Sequence, residues 1–276
     1  MGYHRGEREI QERTGRSVEA DRASRVIRTG LTEVLAAFVG LQRAVVIGSA
    51  DSDSAMWASM VTGPPGFARA TGPRSLSLTL DAARSPSAER PFPDEPFEIG
   101  LLFPDRRTRL RLRINGIARR TARGLAIDTV QVFTNCPGRL RRRNGPDLAP
   151  IASGPTSSSE TLSSDQRRWI SRADTFFIAT ASDTGAADAS HRGGEPGFVE
   201  VVSPSELTWT ECPGNSMFTT LGNLVLDSRA GMLFVEEDGG ATLRLTGTAR
   251  VRLTGEEPTV HFTIARVLGT GPSDGP

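Results

Sequence analysis

The chain can be laid on itself. A shift of 131 residues brings Gly48–Phe67 (GSADSDSAMWASMVTGPPGF) onto Ala179–Phe198 (ATASDTGAADASHRGGEPGF) without a gap, and eight of the twenty positions are identical. The same shift brings Ile99–Arg120 onto Ala230–Val251. There Gly100/Gly231, Leu102/Leu233, Phe103/Phe234, Leu112/Leu243, Arg113/Arg244, Gly116/Gly247, Ala118/Ala249 and Arg119/Arg250 agree. Two separate windows sharing one offset imply an internal duplication, which constrains the architecture before any local propensity is weighed. The 276 residues suffice for two units, each burying a core of its own.

Within each copy the pattern is one of short strands. Thr32 and Ser163 are matched hydroxyl caps of a short helix, the first carrying Val34, Leu35, Phe38 and Val39. The apolar runs Ala44–Ile47 and Thr175–Thr180 read as buried strands, turned at Ser52-Asp53 and Asp183-Thr184-Gly185 into Ala55–Met60 and Ala186–His191. Strands follow at Ser75–Leu80 and Glu206–Thr210, Ile99–Phe103 and Gly231–Val235, Leu110–Ala118 and Thr242–Val251. About six strands per copy, with closely spaced turns, suggest a small antiparallel barrel. The expected protein is mainly β (α+β): a charged arm over 1–30, a first barrel over 31–146, a Pro/Ser/Gly-rich linker over 147–160 and a second barrel over 161–276.

Composition narrows the chemistry. All 33 basic residues are arginine, so lysine Schiff-base chemistry is excluded, and a bound phosphate must be met by arginine, hydroxyls, histidine or backbone N–H. A net charge of +1 supplies no field toward nucleic acid or membrane. Cys136 and Cys212 lie in no metal-like spacing and read as free thiols. His4, His191 and His261 show no ligand spacing either, so no metal is expected. With no apolar run of membrane-spanning length and no secretory core at the start, a soluble cytoplasmic protein is expected.

The copies are most informative where they diverge. Asp81–Pro96 of the first copy holds four prolines, against a regular helix. The matching Glu211–Ser228 places Met217, Phe218, Leu221, Leu224 and Val225 at helical spacing, with Asn215 as a cap and Asp227 at the end. A helix start beside Asn, Ser and Thr suits a phosphate. Met60-Val61-Thr62 becomes His191-Arg192-Gly193, so Ser190 to Gly194 joins a hydroxyl, an imidazole, an arginine and two glycines in one turn. The apolar first copy indicates that the scaffold itself does not require these residues.

Ser190–Phe198 (SHRGGEPGF), Pro213–Leu224 (PGNSMFTTLGNL) and Leu243–Arg250 (LRLTGTAR) resemble motifs of the pyridoxamine 5′-phosphate oxidase-like, FMN-binding split-barrel superfamily. The resemblance spans Ser163–Leu253 and, as a diverged copy, Thr32–Arg143. It implies two tandem split β-barrels paired within one chain as a pseudo-dimer, acting as monomer or homodimer, with FMN in the cleft between them. The implied ligands are Ser190, His191, Arg192, Gly193, Asn215, Ser216, Thr219, Thr220, Asn223 and Arg244, with Trp57, Ala58 and Ser59 beside the ring. Family members often place a basic residue after P-G-N; here stand Ser216-Met217, leaving Arg192 to carry the phosphate charge. The implied activity is that of a flavin-dependent oxidoreductase with one flavin per chain, acting on a small-molecule substrate that the sequence does not name. The alternatives are a non-catalytic carrier of flavin or deazaflavin, and a haem-binding or cofactor-free barrel. Arg119 and Arg250 read as outward-facing, and the basic run Arg139, Arg141–Arg143 beside Cys136 as solvated surface.

Overall fold

The computed structural model describes residues 2–80, 92–105, 107–135, 156–212, 214–236, 239–253 and 257–270. The first copy contains α3 (Glu33–Leu41), β1 (Ala44–Ala50), β2 (Met56–Thr62), β3 (Ala68–Gly72), β4 (Ser75–Thr79), β5 (Phe97–Pro104), β6 (Arg111–Thr121) and β7 (Gly124–Asn135), preceded by α1 (Arg5–Arg13) and α2 (Ser17–Ser24). After β8 (Thr156–Ser159), the second copy contains α4 (Ser164–Arg172), β9 (Thr175–Ala181), β10 (Ala187–Gly193), β11 (Val199–Ser203), β12 (Glu206–Thr210), α5 (Thr219–Leu226), β13 (Arg229–Val235), β14 (Thr242–Arg252) and β15 (Thr259–Thr270). The expected mainly β architecture of two tandem antiparallel units, each opened by a short capped helix, is the one observed. Cys136 with its basic run, the proline-rich residues 81–91 and most of the linker lie outside the described residues.

The two sheets have one topology, β2-β1-β5-β6-β7-β4-β3 and β10-β9-β13-β14-β15-β12-β11, with β8 added along β15. The common offset holds through β6 and β14. It then grows by four residues, because two residues separate β6 from β7 and six separate β14 from β15. Among the described residues each sheet path has seven strands, the second with β8 besides, rather than about six. The two missed strands of each copy explain themselves. β3 and β11 are short, half-exposed edges, burying one residue each by the same pattern. In β7 and β15 the alternation slips phase at a bulge, opposite Asn115/Gly116 and Thr246/Gly247.

Three apolar clusters hold the molecule together. Val45, Ile47, Leu101 and Phe103 fill the first core, and Phe176, Ile178, Leu243 and Leu245 the second. Between them lies a third, to which both halves contribute: Val46, Met56, Ala58 and Met60 from one, Phe177, Ala179, Ala189 and Leu233 from the other. β1 and β9 therefore bury both faces, and for this reason their sequences are continuously apolar rather than alternating. β6 divides its residues instead. Leu112 and Ile114 enter the core, while Arg111, Arg113 and Asn115 alternate onto the face toward β10.

The contact between halves is close enough to require glycine. A Cβ on Gly100 would lie 2.5 Å from Asp188 Cα, and one on the matching Gly231 2.6 Å from Trp57 Cα. Asp188 and Trp57 are themselves related by the repeat, so the approach has approximate two-fold symmetry. The N-terminal segment crosses this junction. Its α1 packs on α5 of the second half, and Arg28 then pairs with Val132 of β7 in the first. Among the described residues no helix is long and apolar enough to cross a membrane.

Candidate functional site

A cleft of about 170 Å³ lies between the halves. The first half contributes Arg111, Arg113 and Asn135. The second contributes β10, the connection after β12 and the start of α5. Eight of the expected residues meet there: Ser190, His191, Arg192, Gly193, Asn215, Ser216, Thr219 and Thr220.

The other expected residues lie elsewhere. Asn223 is buried, donating through Nδ2 to Thr180 Oγ1 at 3.0 Å and accepting from His4 Nε2 at 2.9 Å, so it fastens α5 to β9 and to the N-terminal segment. Arg244, Trp57 and Ser59 do not line the cleft. A duplicated fold produces two symmetry-related places, each built from the second strand of one half and the sixth of the other. Arg113, Asp188 and Ser190 belong to the cleft; their counterparts Arg244, Trp57 and Ser59 belong to the opposite place. There the Arg244 guanidinium lies 5.9 Å from the Trp57 ring centroid, and Trp57 Nε1 donates to Asp51 Oδ2 at 2.9 Å. Ala58 is buried in the apolar interface.

The arginine expected to carry an anion's charge is already paired. Arg192 Nε donates to Glu211 Oε1 at 2.7 Å, and the same oxygen accepts from Trp209 Nε1 at 3.0 Å. The cation that sequence reasoning missed is Arg111. It is 8 % exposed, and its Nη1 lies 3.1 Å from His191 Nδ1. A guanidinium can only donate. His191 Nδ1 is therefore the acceptor, and the neutral ring carries its proton on Nε2. The alternation Arg111-Leu112-Arg113-Ile114 was the available signal: a strand alternating arginine with core residues must bury or expose the whole arginine face at once.

Behind Arg111 lies a buried ion pair that crosses the junction. Arg113 Nη2 donates to Asp188 Oδ1, which also accepts from Asn115 Nδ2 at 3.2 Å, while Ser190 Oγ donates to Oδ2 at 3.1 Å. The pair leaves no net charge, and Arg192 with Glu211 likewise cancels. Arg111 adds a third guanidinium to the cleft lining, beside Arg113 and Arg192.

The helix start differs from expectation in detail. Asn215 does not cap α5: its Oδ1 accepts from the Met217 N–H at 3.2 Å, and the helix begins at Thr219. Its N-cap is Phe218, which has left-handed backbone angles (φ 58°) and makes no side-chain capping bond. The first-turn N–H groups are thus left without a side-chain cap beside Thr219 and Thr220, which line the cleft.

One buried carboxyl stands behind this helix. Burial pushes Glu7 above its ordinary value of 4.5, although the His4 charge and hydrogen bonds from the His4 backbone and the Thr219 side chain pull it partly back. The folded state therefore holds this proton more tightly than the unfolded chain does. Its stabilising contribution is complete below the unfolded value and is lost as pH rises through the folded one. Glu7→Gln is expected to flatten the fall in melting temperature across that window; an unaltered pH profile would show that another group governs it.

Neither a family model nor a curated protein matches this chain. Solved structures do. A putative pyridoxamine 5′-phosphate oxidase from Lactobacillus delbrueckii is 16 % identical over 40 % of this chain and 94 % of its own, with a TM-score of 0.33. A haem storage protein from Vibrio cholerae is 9 % identical over 40 % and 95 %, with a TM-score of 0.31. An FAD-binding protein from Mesorhizobium loti is 11 % identical over 43 % and 99 %, with a TM-score of 0.32.

Proposed function

We propose that the cleft receives the phosphate of FMN and that the chain is a flavin-dependent oxidoreductase carrying one flavin. The observation behind this reading is the placement of Arg111 and Arg192 in one cleft with the start of α5, whose first N–H groups carry no side-chain cap. Charge from a side chain and partial charge from a helix dipole then converge on one anion. Ser216 and Thr220 add hydroxyls to the donor set, which fits a phosphate, while those of Ser190 and Thr219 are engaged by Asp188 and Glu7. The enclosed volume is smaller than the roughly 300–1,000 Å³ that engulfs a whole ligand, so it suits the phosphate end rather than the ring. FMN, when bound, supplies the electron-accepting ring. The protein's part is to fix the phosphate, hold His191 neutral against Arg111 and keep Arg192 locked to Glu211.

Loss of a charge-assisted hydrogen bond costs about 1.5–3 kcal/mol. Arg111→Ala should therefore weaken FMN binding about 10- to 100-fold. Glu211→Gln should tighten it, because the cleft loses a negative charge and Arg192 becomes available. Fluorescence titration of the apoprotein reads both variants. If Glu211→Gln weakens binding, the ligand is not an anion held at this place. Absorption of the native protein and mass analysis of what it releases decide the cofactor class: flavin or deazaflavin supports the reading, and a Soret band with released haem replaces it.

A further inference from the structure

The N-terminal helix has no part in the chemistry above, yet it forms the back of the helix that opens on the cleft. α1 and α5 touch backbone to backbone: a Cβ on Gly6 would lie 2.2 Å from Gly222 O, and one on Gly222 2.5 Å from Glu7 N. Gln11 is fully buried, and its Nε2 donates to Met217 O at 3.1 Å. Met217 stands between Ser216 and Phe218, both in the left-handed region (φ 59° and 58°). Such angles cost a residue with a side chain on the order of 1–3 kcal/mol and persist only where the surroundings enforce them. Gln11 supplies part of that enforcement. Glu7 supplies another part, because its carboxyl accepts from the His4 backbone at 2.9 Å and is hydrogen-bonded to the side chain of Thr219, the first residue of α5.

We propose that α1 is a working wall of the cleft, with Gln11 and Glu7 as positioning residues. They hold the first turn of α5 in the shape that receives an anion, and the proton on Glu7 favours the anion's entry. The ligand half of this proposal rests on the anion reading given above; the positioning half stands without it. The charged groups facing Glu7 are His4 from its own segment and Asp188 from β10, while α5 presents Thr219 and the Gly222 backbone. Asp188 is held by Arg113. A second negative charge behind the helix start opposes a phosphate in front of it, so ionisation of Glu7 and occupancy of the cleft are antagonistic. Affinity for an anion is accordingly highest with Glu7 protonated and falls as pH rises.

The test uses the full chain and three variants, Glu7→Gln, Gln11→Met and Gly6→Val. Hydrogen exchange without ligand is followed at residues 214–222, and FMN and inorganic phosphate are titrated at a series of pH values reaching upward from the ordinary carboxyl range. Gln11→Met keeps the volume and removes only the donor, so it remains informative should Gly6→Val fail to fold. Gln11→Met and Gly6→Val are expected to speed exchange in the first turn of α5 about tenfold, equivalent to about 1.4 kcal/mol, while β13 and β14 keep their protection. Glu7→Gln is expected to keep that protection and to bind the anion progressively better than the unaltered chain does as pH rises. Unchanged exchange in Gln11→Met overturns the positioning role. A pH profile of Glu7→Gln that parallels that of the unaltered chain overturns the proton linkage, since the ligand's own phosphate ionisation, at about pH 6 for a monoester, is common to both. If neither FMN nor phosphate binds the unaltered chain at any pH, the anion reading fails and the proton linkage falls with it, while the exchange results still decide the positioning role.

Discussion

Asp188→Ala is expected to lower the unfolding free energy by about 3–5 kcal/mol, the usual cost of removing one partner from a buried ion pair. Both side chains are almost wholly enclosed, Arg113 at 4 % and Asp188 at 2 % exposure. Without the carboxylate, the guanidinium would remain between the halves with the Phe133 ring, 4.7 Å away, as a neighbour. A ring face offers a cation about 2 kcal/mol at best when desolvated, which does not replace a carboxylate. Asn115 and Ser190 would each lose an acceptor as well. Urea unfolding of Asp188→Ala, Arg113→Met and the double variant measures the coupling. The double variant should recover most of the loss, because removing both charges also removes the unpaired one. A loss below about 1 kcal/mol in Asp188→Ala would mean that the pair behaves as a solvated one.

The same pair shows what a sequence discloses and what it withholds. The duplication was legible because identities recur at one offset, and with it came five matched strand positions in each half, though not their order in the sheet. The capped helices at Thr32 and Ser163 were legible because a hydroxyl before an apolar turn has one common use; both side chains accept from the third residue beyond. Arg113 and Arg244 were equally visible as a conserved-by-repeat pair, but not their difference. One faces Asp188 and the other Trp57, matched positions of β10 and β2, and seeing this requires knowing that the sixth strand of one half lies across from the second strand of the other. Hairpins within a half follow from local turns, whereas the long-range pairings β1 with β5 and β4 with β7, and the contact between halves, follow from complementarity that no local pattern encodes. For the same reason Trp57, Ser59 and Arg244 were assigned to a cleft they do not line, and Arg111 escaped notice. The pairing of Arg192 with Glu211 was hidden too, since 19 residues separate them in sequence and they stand on β10 and just past β12, strands that are not neighbours in the sheet.

Gly100→Val and Gly231→Val test the junction itself. A Cβ at Gly100 falls within 2.5–2.6 Å of Asp188 Cα, Asp188 C and Ala189 N, and one at Gly231 within 2.6–2.7 Å of Met56 O, Trp57 Cα and Ala58 N. These neighbours are backbone atoms inside paired strands, so no rotamer change relieves the clash; one half must move away from the other. Overpacking a core costs about 1–3 kcal/mol where side chains can adjust, and here the cost should reach or exceed the upper end for each variant. Moving the halves apart also opens the apolar interface around Met56, Ala58, Ala179 and Leu233, at roughly 25 cal/mol for each Å² exposed. The double variant should therefore do more than lower the midpoint. Calorimetry is expected to resolve its single unfolding transition into two, one per half, because each half keeps a core of its own. Gly40→Ala is the control: Gly40 lies within α3 with open space around its Cβ position, so alanine there should stabilise by up to about 1 kcal/mol. If both junction variants behave like that control, the two halves do not approach each other backbone to backbone, and the cleft between them has some other geometry.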